Sequence, residues 1–332
     1  MGDVAMTVPV LRAVTEQYPE LKITVLTRAF FKPFFRDLKN VEVVSADVKG
    51  EHKGVFGLYK LARQLNKGNR FYAIADLHSV LRSKILKQFI RCSRFVSIDK
   101  GRGEKKALTS GKIFKQLKTT HQRYADVFET LGYKIDLSNP DFPKSQGLSD
   151  KIFRIVNRDS QRWVGVAPFA AHEGKMYPLD LMEKVIEKVS KKYKIILFGG
   201  GMQEVTLLDT IESNYENVYS VAGKLTLDEE LNLISNLDVM LSMDSANAHI
   251  AAMLGIEVIT IWGVTHPFAG FAPFNQPEDY ALLSDRGKYP LIPTSVYGNK
   301  FPEHYKEVSR SIAPETVVKK VKSVVGANIE SY

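Results

Sequence analysis

Beyond residue 160 the chain alternates two kinds of apolar pattern. Short, nearly continuous aliphatic runs stand at Trp163 to Ala167, Lys194 to Phe198, Val239 to Ser242 and Val258 to Ile261, with a shorter one at Val218 to Val221. Such runs predict strands buried on both faces. Between them, apolar residues recur at spacings of three and four in Leu179 to Lys191, Glu204 to Ser213, Leu227 to Asn236 and Asn247 to Leu254, which predicts helices with one apolar stripe each. Alternation of this kind builds βαβ units, hence a parallel sheet with helices on both faces.

The first half repeats the theme less cleanly. Strands are expected at Lys22 to Leu26, Val41 to Val44, Tyr72 to Ala75 and Phe95 to Ile98, and helices around Leu58 to Leu65 and Val80 to Ile90. The stretch from Leu137 to Asp150, with Pro140, Pro143, Gly147 and three serines, reads as a linker. The last helix is expected at Pro314 to Val325, with Pro314 in its first turn. A length of 332 residues exceeds what one core usually supports. Two α/β domains are therefore expected, 1–145 and 146–312, followed by a C-terminal helix, 313–332, packing back on the first. A helical pattern begins within the first ten residues, so Gly2-Asp3 reads as the loop at the carboxyl end of a strand. On this reading the chain starts inside its own first βα unit, and its first sheet lacks a central strand.

Composition removes several classes. Hydrophobic residues make up 44% and charged residues 25%, values of an ordinary folded protein rather than a disordered one. The longest apolar stretches, such as Ala251 to Leu254, are far shorter than the roughly 20 residues that cross a bilayer. The N-terminus has neither the basic start nor the apolar core of a secretory signal, and Cys92 is the only cysteine, which fits a reducing interior and a small apolar packing role. Charge is uneven. Up to Asp150 there are 27 Lys and Arg against 15 Asp and Glu, a net +12, and afterwards 19 against 22, a net −3. The first half is expected to meet something anionic: nucleic acid, lipid headgroups or an acidic glycan. The basic residues are densest from Arg91 to Lys118.

In a parallel sheet, chemistry gathers at the carboxyl ends of the strands. Three successive loops there carry suitable groups. Lys175 follows the strand at Trp163; Gly199, Gly200, Gly201 and Glu204 join a strand to a helix; and Asp244, Ser245 and Ala246 open the helix that holds His249. Lysine, glycine-rich amides and a helix N-terminus together suit one anion, naturally a diphosphate. Asp244 or Ser245 is expected to cap its helix, and His249, a lone histidine, to be packed and hydrogen-bonded. Glu204 suits either a ribose hydroxyl or the positive end of its helix. The glycine run is not the GxGxxG fingerprint, which disfavours a dehydrogenase. Asp3 precedes a helix, where it is a candidate carboxylate or an N-cap, and Thr7 is an alternative cap.

These segments together resemble glycosyltransferase family 9, the heptosyltransferases of lipopolysaccharide core assembly. The matching residues are Gly2-Asp3, Pro9 and Leu11; Asp76, Arg82 and Ser83; Lys175 with Tyr177-Pro178; Gly199 to Gly201 with Glu204; and Asp244, Ser245, Ala246, His249, Ala251-Ala252, Gly263 and Thr265. The aromatic after the lysine is Tyr where the family usually has Trp, and Ser-Ala follows Asp244 where the family often has Thr-Gly or Ser-Gly. The resemblance implies an α/β fold of GT-B architecture, two Rossmann-like doubly wound domains facing a cleft. It implies an ADP-activated heptose held by the second domain through Lys175, Gly199, Gly200, Gly201, Glu204, Asp244, Ser245, Ala246, His249, Gly263 and Thr265. Asp3 would be the general base in an inverting transfer. Arg82, Arg102, Lys105 and Lys106 would receive an anionic glycolipid acceptor at the cytoplasmic face of the inner membrane. No Asp-x-Asp triplet occurs, and no metal, cofactor or nucleic-acid partner is expected. The competing readings are a nucleotide-sugar epimerase of GT-B type and an inactive, truncated carbohydrate-binding homologue.

Overall fold

A computed structural model describes residues 1–68 and 70–330, which form two compact units. The first consists mainly of Asp3–Gly101 and Lys118–Asp141; the second holds Arg102–Leu117 and the chain from Phe142 onward. The main boundary thus lies at 141/142 rather than 145/146.

The first unit opens with a short helical turn, α1 (Gly2–Ala5), and α2 (Thr7–Gln17), whose Val8, Val10, Leu11 and Val14 are buried. Four parallel strands follow: β1 (Ile23–Thr27), β2 (Val41–Ser45), β3 (Phe71–Asp76) and β4 (Cys92–Ser97). They pair as two separate two-stranded sheets, β1 with β2 and β3 with β4. Helix α3 (Gly54–Asn66) ties them together. Its Leu58, Leu61, Ala62 and Leu65 recur at helical spacing and pack with Leu26 and Val44 from one sheet and Phe71 from the other. Helix α4 (Leu81–Lys87) adds Leu86 to the same cluster. Cys92, expected to be buried, is half-buried at the start of β4.

The chain then interrupts this unit. Helix α5 (Arg102–Thr109) and the segment to Leu117 pack on the second unit: Leu108 and Leu117 are buried with Ala269, and the Leu117 N–H donates to the Phe268 carbonyl at 2.9 Å. The chain returns as α6 (Thr120–Thr130), capped by the Thr119 hydroxyl, which accepts from the Gln122 N–H at 3.1 Å.

After α7 (Asp150–Val156), the second unit forms a six-stranded sheet from β5 (Trp163–Ala167), β6 (Lys194–Leu197), β7 (Val218–Ser220), β8 (Val239–Met243), β9 (Val258–Trp262) and β10 (Ala281–Leu283). The order is β10-β9-β8-β5-β6-β7 and every pair is parallel. Successive strands run outward from β5 to β7, and the chain then returns to place β8 on the other side of β5. That reversal leaves a crevice at the carboxyl ends of β5 and β8, where ligands of open α/β sheets bind.

Helices α8 (Leu179–Ser190), α9 (Met202–Ser213), α10 (Leu227–Ile234) and α11 (Ala246–Met253) are the crossovers. The final helix is α12 (Pro314–Glu330). Val317, Val318, Val321, Val324 and Val325 enter the same buried cluster as Val185 and Ile186 of α8 and Val164 and Leu241 of the second sheet. Valines at this spacing form one stripe, and that stripe belongs to the second unit's own core. All expected strands are present. The largest shift is at β4, which begins at Cys92 rather than Phe95, and β10, α5, α6 and α7 were not foreseen. Among the described residues, no helix is long and apolar enough to cross a membrane.

Lys194 shows what an isolated buried charge requires. Its side chain is fully buried, and Nζ donates to the carbonyls of Val156 at 2.5 Å and Asn157 at 2.7 Å while pairing with Asp159 at 2.7 Å. It therefore ties the end of α7 to the sheet. Lys194→Met is expected to destabilise the fold by about 2 to 3 kcal/mol, because it removes the cation bound to the buried Val156 carbonyl and to Asp159. Urea unfolding measures this, and an unchanged midpoint would show that the tie contributes nothing.

Candidate active site

Three loops meet at the reversal point of the second sheet. Asp244, the first residue after β8, is 5% exposed and accepts at one oxygen from two sides: Lys175 Nζ at 2.8 Å and Thr265 Oγ1 at 2.9 Å. Lys175 ends the turn after β5, and Thr265 lies in the loop after β9. A buried carboxylate is stable only when paired or hydrogen-bonded, so the end of β8 depends on the other two loops.

Glycines let Lys175 reach this position. The Val264 N–H donates to the Gly174 carbonyl at 2.8 Å, and a Cβ at Gly263 would stand 2.2 Å from that carbonyl oxygen. A Cβ at Gly298, whose φ is +73°, would stand 2.6 Å from Lys175 Cγ. Gly263 thus clears the path of the lysine loop. Gly298 does the same, and sequence reasoning missed it because its neighbour is remote in the chain.

The start of α11 differs from expectation. Ser245 occupies the N-cap position with φ −143° and ψ 177°, but makes no capping bond; its hydroxyl meets Ser242 Oγ at 3.0 Å. Asp244 does not cap either, since Lys175 and Thr265 hold its carboxylate. Among the described residues the first-turn amides of α11, beginning at Ala246, therefore have no capping side chain and keep their capacity for an anion. His249, one turn in, is buried as expected, but its Nδ1 has no partner among the described residues. Burial, reinforced by the Lys175 charge, lowers its pKa to about 3.

The glycine loop after β6 is pinned from below. Glu204 turns back and accepts from the Gly200 N–H at 2.7 Å. This gives the glutamate a local role besides the two considered from sequence. Gly201 adopts φ +86°, and space is open within 4 Å of a Cβ at Gly200 or Gly201, while one at Gly199 would sit 2.7 Å from Leu208. The loop thus offers an open surface above a packed base.

In the first unit, Asp3 is exposed within α1. It caps nothing: Met6 holds the N-cap position of α2 without a side-chain bond, and the Thr7 hydroxyl donates to the Val4 carbonyl at 2.7 Å. Tyr124, not foreseen, stands beside Asp3. Its hydroxyl donates to the Asp3 carbonyl at 3.4 Å, and burial, then the Asp3 carboxylate, pushes the phenol pKa up. Asp76, buried at the end of β3, accepts from the Ser79 N–H at 2.8 Å and the Ser83 hydroxyl at 2.8 Å, closing the turn that leaves Arg82 exposed on α4.

Arg102, Lys105 and Lys106 lie on α5 and so belong with the second unit rather than the first. Arg102 and Lys106 are exposed, whereas Lys105 is buried with Nζ 4.0 Å from the centre of the Phe271 ring. The same strap brings Phe114 against His266, at 5.0 Å between ring centres, with Arg286 over Phe114 at 3.4 Å. Burial, then the Arg286 charge, lowers the His266 pKa to about 4.

Both histidines stay neutral in the folded chain until well below their ordinary pKa near 6.5, so the unfolded chain takes up protons first as pH falls. Their contribution to stability is complete above pH 6.5 and is lost progressively toward pH 4 and 3. The urea midpoint is expected to drop between pH 7 and pH 5, and less steeply in a His249→Gln, His266→Gln double variant. Equal slopes would remove the two histidines as the cause.

Comparison with known proteins places the chain in a family. The family described as Glycosyltransferase family 9 (heptosyltransferase) matches residues 58–293. A lipooligosaccharide heptosyltransferase 2 of Campylobacter jejuni is 20% identical over 98% of this chain and 96% of its own. Among solved structures, a glycosyl transferase family 9 protein from Veillonella parvula superposes with a TM-score of 0.75 at 17% identity, covering 98% of this chain and 94% of that one. The E. coli heptosyltransferase WaaC with ADP gives 0.68 at 17% identity over 97% and 96%. Because the family match spans well over half of the sequence and the structural likeness extends along nearly all of it, the chain belongs to glycosyltransferase family 9 and is a glycosyltransferase of GT-B fold.

Proposed function

We propose that this enzyme transfers a heptose, or a closely related sugar, from an ADP-activated donor to a lipopolysaccharide core or lipid A-type acceptor, with inversion at the anomeric carbon. The observation that carries the reading is the Lys175, Asp244 and Thr265 cluster beside the uncapped start of α11. A diphosphate has the charge and size to engage the lysine and the free amides together. Relatives named heptosyltransferases, and the WaaC structure with ADP, support the choice of donor.

The roles follow from chemistry. As an acceptor oxygen bonds to the anomeric carbon, the bond from that carbon to the diphosphate breaks and its electron pair leaves with ADP. Asp3 takes the acceptor's proton. Lys175 and the amides of Ser245 and Ala246 stabilise the charge gathering on the departing diphosphate, with His249 neutral beside them. As Lys175 turns to the diphosphate, Asp244 becomes free to accept from sugar hydroxyls while Thr265 holds it in place. Gly199, Gly200 and Gly201 admit the nucleotide close to the backbone, and the second oxygen of Glu204 serves a ribose hydroxyl. Arg82, Arg102 and Lys106 meet the anionic acceptor, with Lys105 supporting α5 from beneath. The acceptor is a glycolipid held at the inner membrane, so contact with that surface is peripheral. Nucleic acid has no part.

A mass-spectrometric screen of ADP-, GDP- and UDP-sugars with a core oligosaccharide tests the donor, and the anomeric configuration of the product by NMR tests inversion. Asp3→Asn is expected to lower transfer by about 10²- to 10⁴-fold with ADP binding unchanged; full activity in that variant would remove Asp3 as the base. Lys175→Met and Gly263→Ala are each expected to weaken ADP binding about tenfold or more, the first by losing the cation and the second by displacing its loop. Unchanged affinity by calorimetry in both would place the diphosphate elsewhere.

A further inference from the structure

The first unit carries an exposed apolar feature that the transfer reaction does not use. On α3, the face opposite the buried leucines holds Phe56, 82% exposed, with Val55 at 56% and Tyr59 at 44%. Phe56, Tyr59, Lys60 and Arg63 follow at spacings of three and four and so share one side of the helix. Lys53 precedes the helix and Lys67 follows it, both exposed. From Lys49 to Ala75 there are six Lys and Arg against a single acid, Glu51. Glu51 pairs with Lys60 at 2.6 Å. The Tyr59 ring is held from the side by Phe89, 5.4 Å between centres and nearly perpendicular, so the aromatic surface is supported rather than loose.

Charge complementarity selects the occupant. The first unit holds 21 Lys and Arg against 13 Asp and Glu across Asp3–Gly101 and Lys118–Asp141, a net +8, and the Lys49 to Ala75 stretch supplies +5 of it. A second copy of the chain would bring the same positive face and repel it. Basic residues around exposed aromatic and aliphatic side chains on one helix side match the boundary of an anionic bilayer, where rings enter the acyl edge and ammonium and guanidinium groups stay among phosphates.

We infer that the Val55, Phe56 and Tyr59 face of α3, ringed by Lys53, Lys60, Arg63 and Lys67, is the surface by which this enzyme docks on an anionic membrane. This moves the membrane contact away from the Arg91 to Lys118 region to which charge density alone points. The inference rests on the proposed function only in taking a membrane-held acceptor as the reason for such a contact.

Flotation of the full chain with vesicles tests it, using phosphatidylcholine alone and phosphatidylcholine with about one third phosphatidylglycerol. Binding is expected to the anionic vesicles only and to fall steeply as salt rises, since exposed charges are screened within about 10 Å at 0.1 M. Phe56→Ser and the pair Lys60→Glu, Arg63→Glu are each expected to weaken it about tenfold, through lost apolar burial and lost electrostatic attraction. Phe56 is exposed, so the thermal midpoint of Phe56→Ser is expected to stay unchanged, as is its transfer to a soluble, deacylated acceptor. Equal binding to neutral and anionic vesicles overturns the inference, as does wild-type flotation of Phe56→Ser. If no ADP-sugar is used as donor yet flotation depends on Phe56, the proposed function fails and this surface stands; transfer with Phe56-independent flotation gives the reverse.

Discussion

The ion pair between half-buried Lys175 and buried Asp244 holds together loops that follow different strands of the second unit. The buried carboxylate needs partners, and it finds them in Lys175 from the loop after β5 and Thr265 from the loop after β9. Adjacent parallel strands fix the starting points of those loops, and glycines at 174, 263 and 298 remove the side chains that would stand in the way. The consequence is a half-buried cation whose position is fixed by a carboxylate from another loop.

The two units differ in how firmly they can hold such a site. Every residue of β5, β6, β8 and β9 is buried, whereas the strands of the first unit are largely half-buried and make two short sheets bridged by α3. Position in the second unit is set by a continuous core. Position in the first depends more on local turns, such as the Asp76 and Ser83 closure that presents Arg82.

The second half was the more legible in sequence for the same reason. Unbroken apolar runs mark fully buried strands, and amphipathic segments mark the crossover helices. What failed were features decided by distant partners. Asp and Ser are good caps locally, yet Asp244 is claimed by Lys175 and Ser245 by Ser242. Helix α5 escaped notice because six of its eight residues are polar or glycine and only Lys105 and Leu108 turn inward. Strand β10 is three residues long, too short for periodicity to register. Helix α12 was found, but its valine stripe does not say which core it completes. The proximity of the Lys175 and Asp244 loops is legible from sequence, because parallel topology puts both at one sheet edge, whereas the contact with Thr265 is seen only in the fold.

The excursion of Arg102–Leu117 has a consequence for how the molecule can be taken apart. From Asp3 onward the polypeptide passes between the units at three points, near residues 101, 117 and 141, rather than at one hinge. A cut at the single proline-rich linker would leave Ala269 without Leu108 and Leu117, and would leave those two leucines attached to a half where they have nothing to bury against. Neither fragment would be an intact module. Recombining halves from different relatives therefore demands that the strap travel with the second unit, as an insertion rather than a terminal extension.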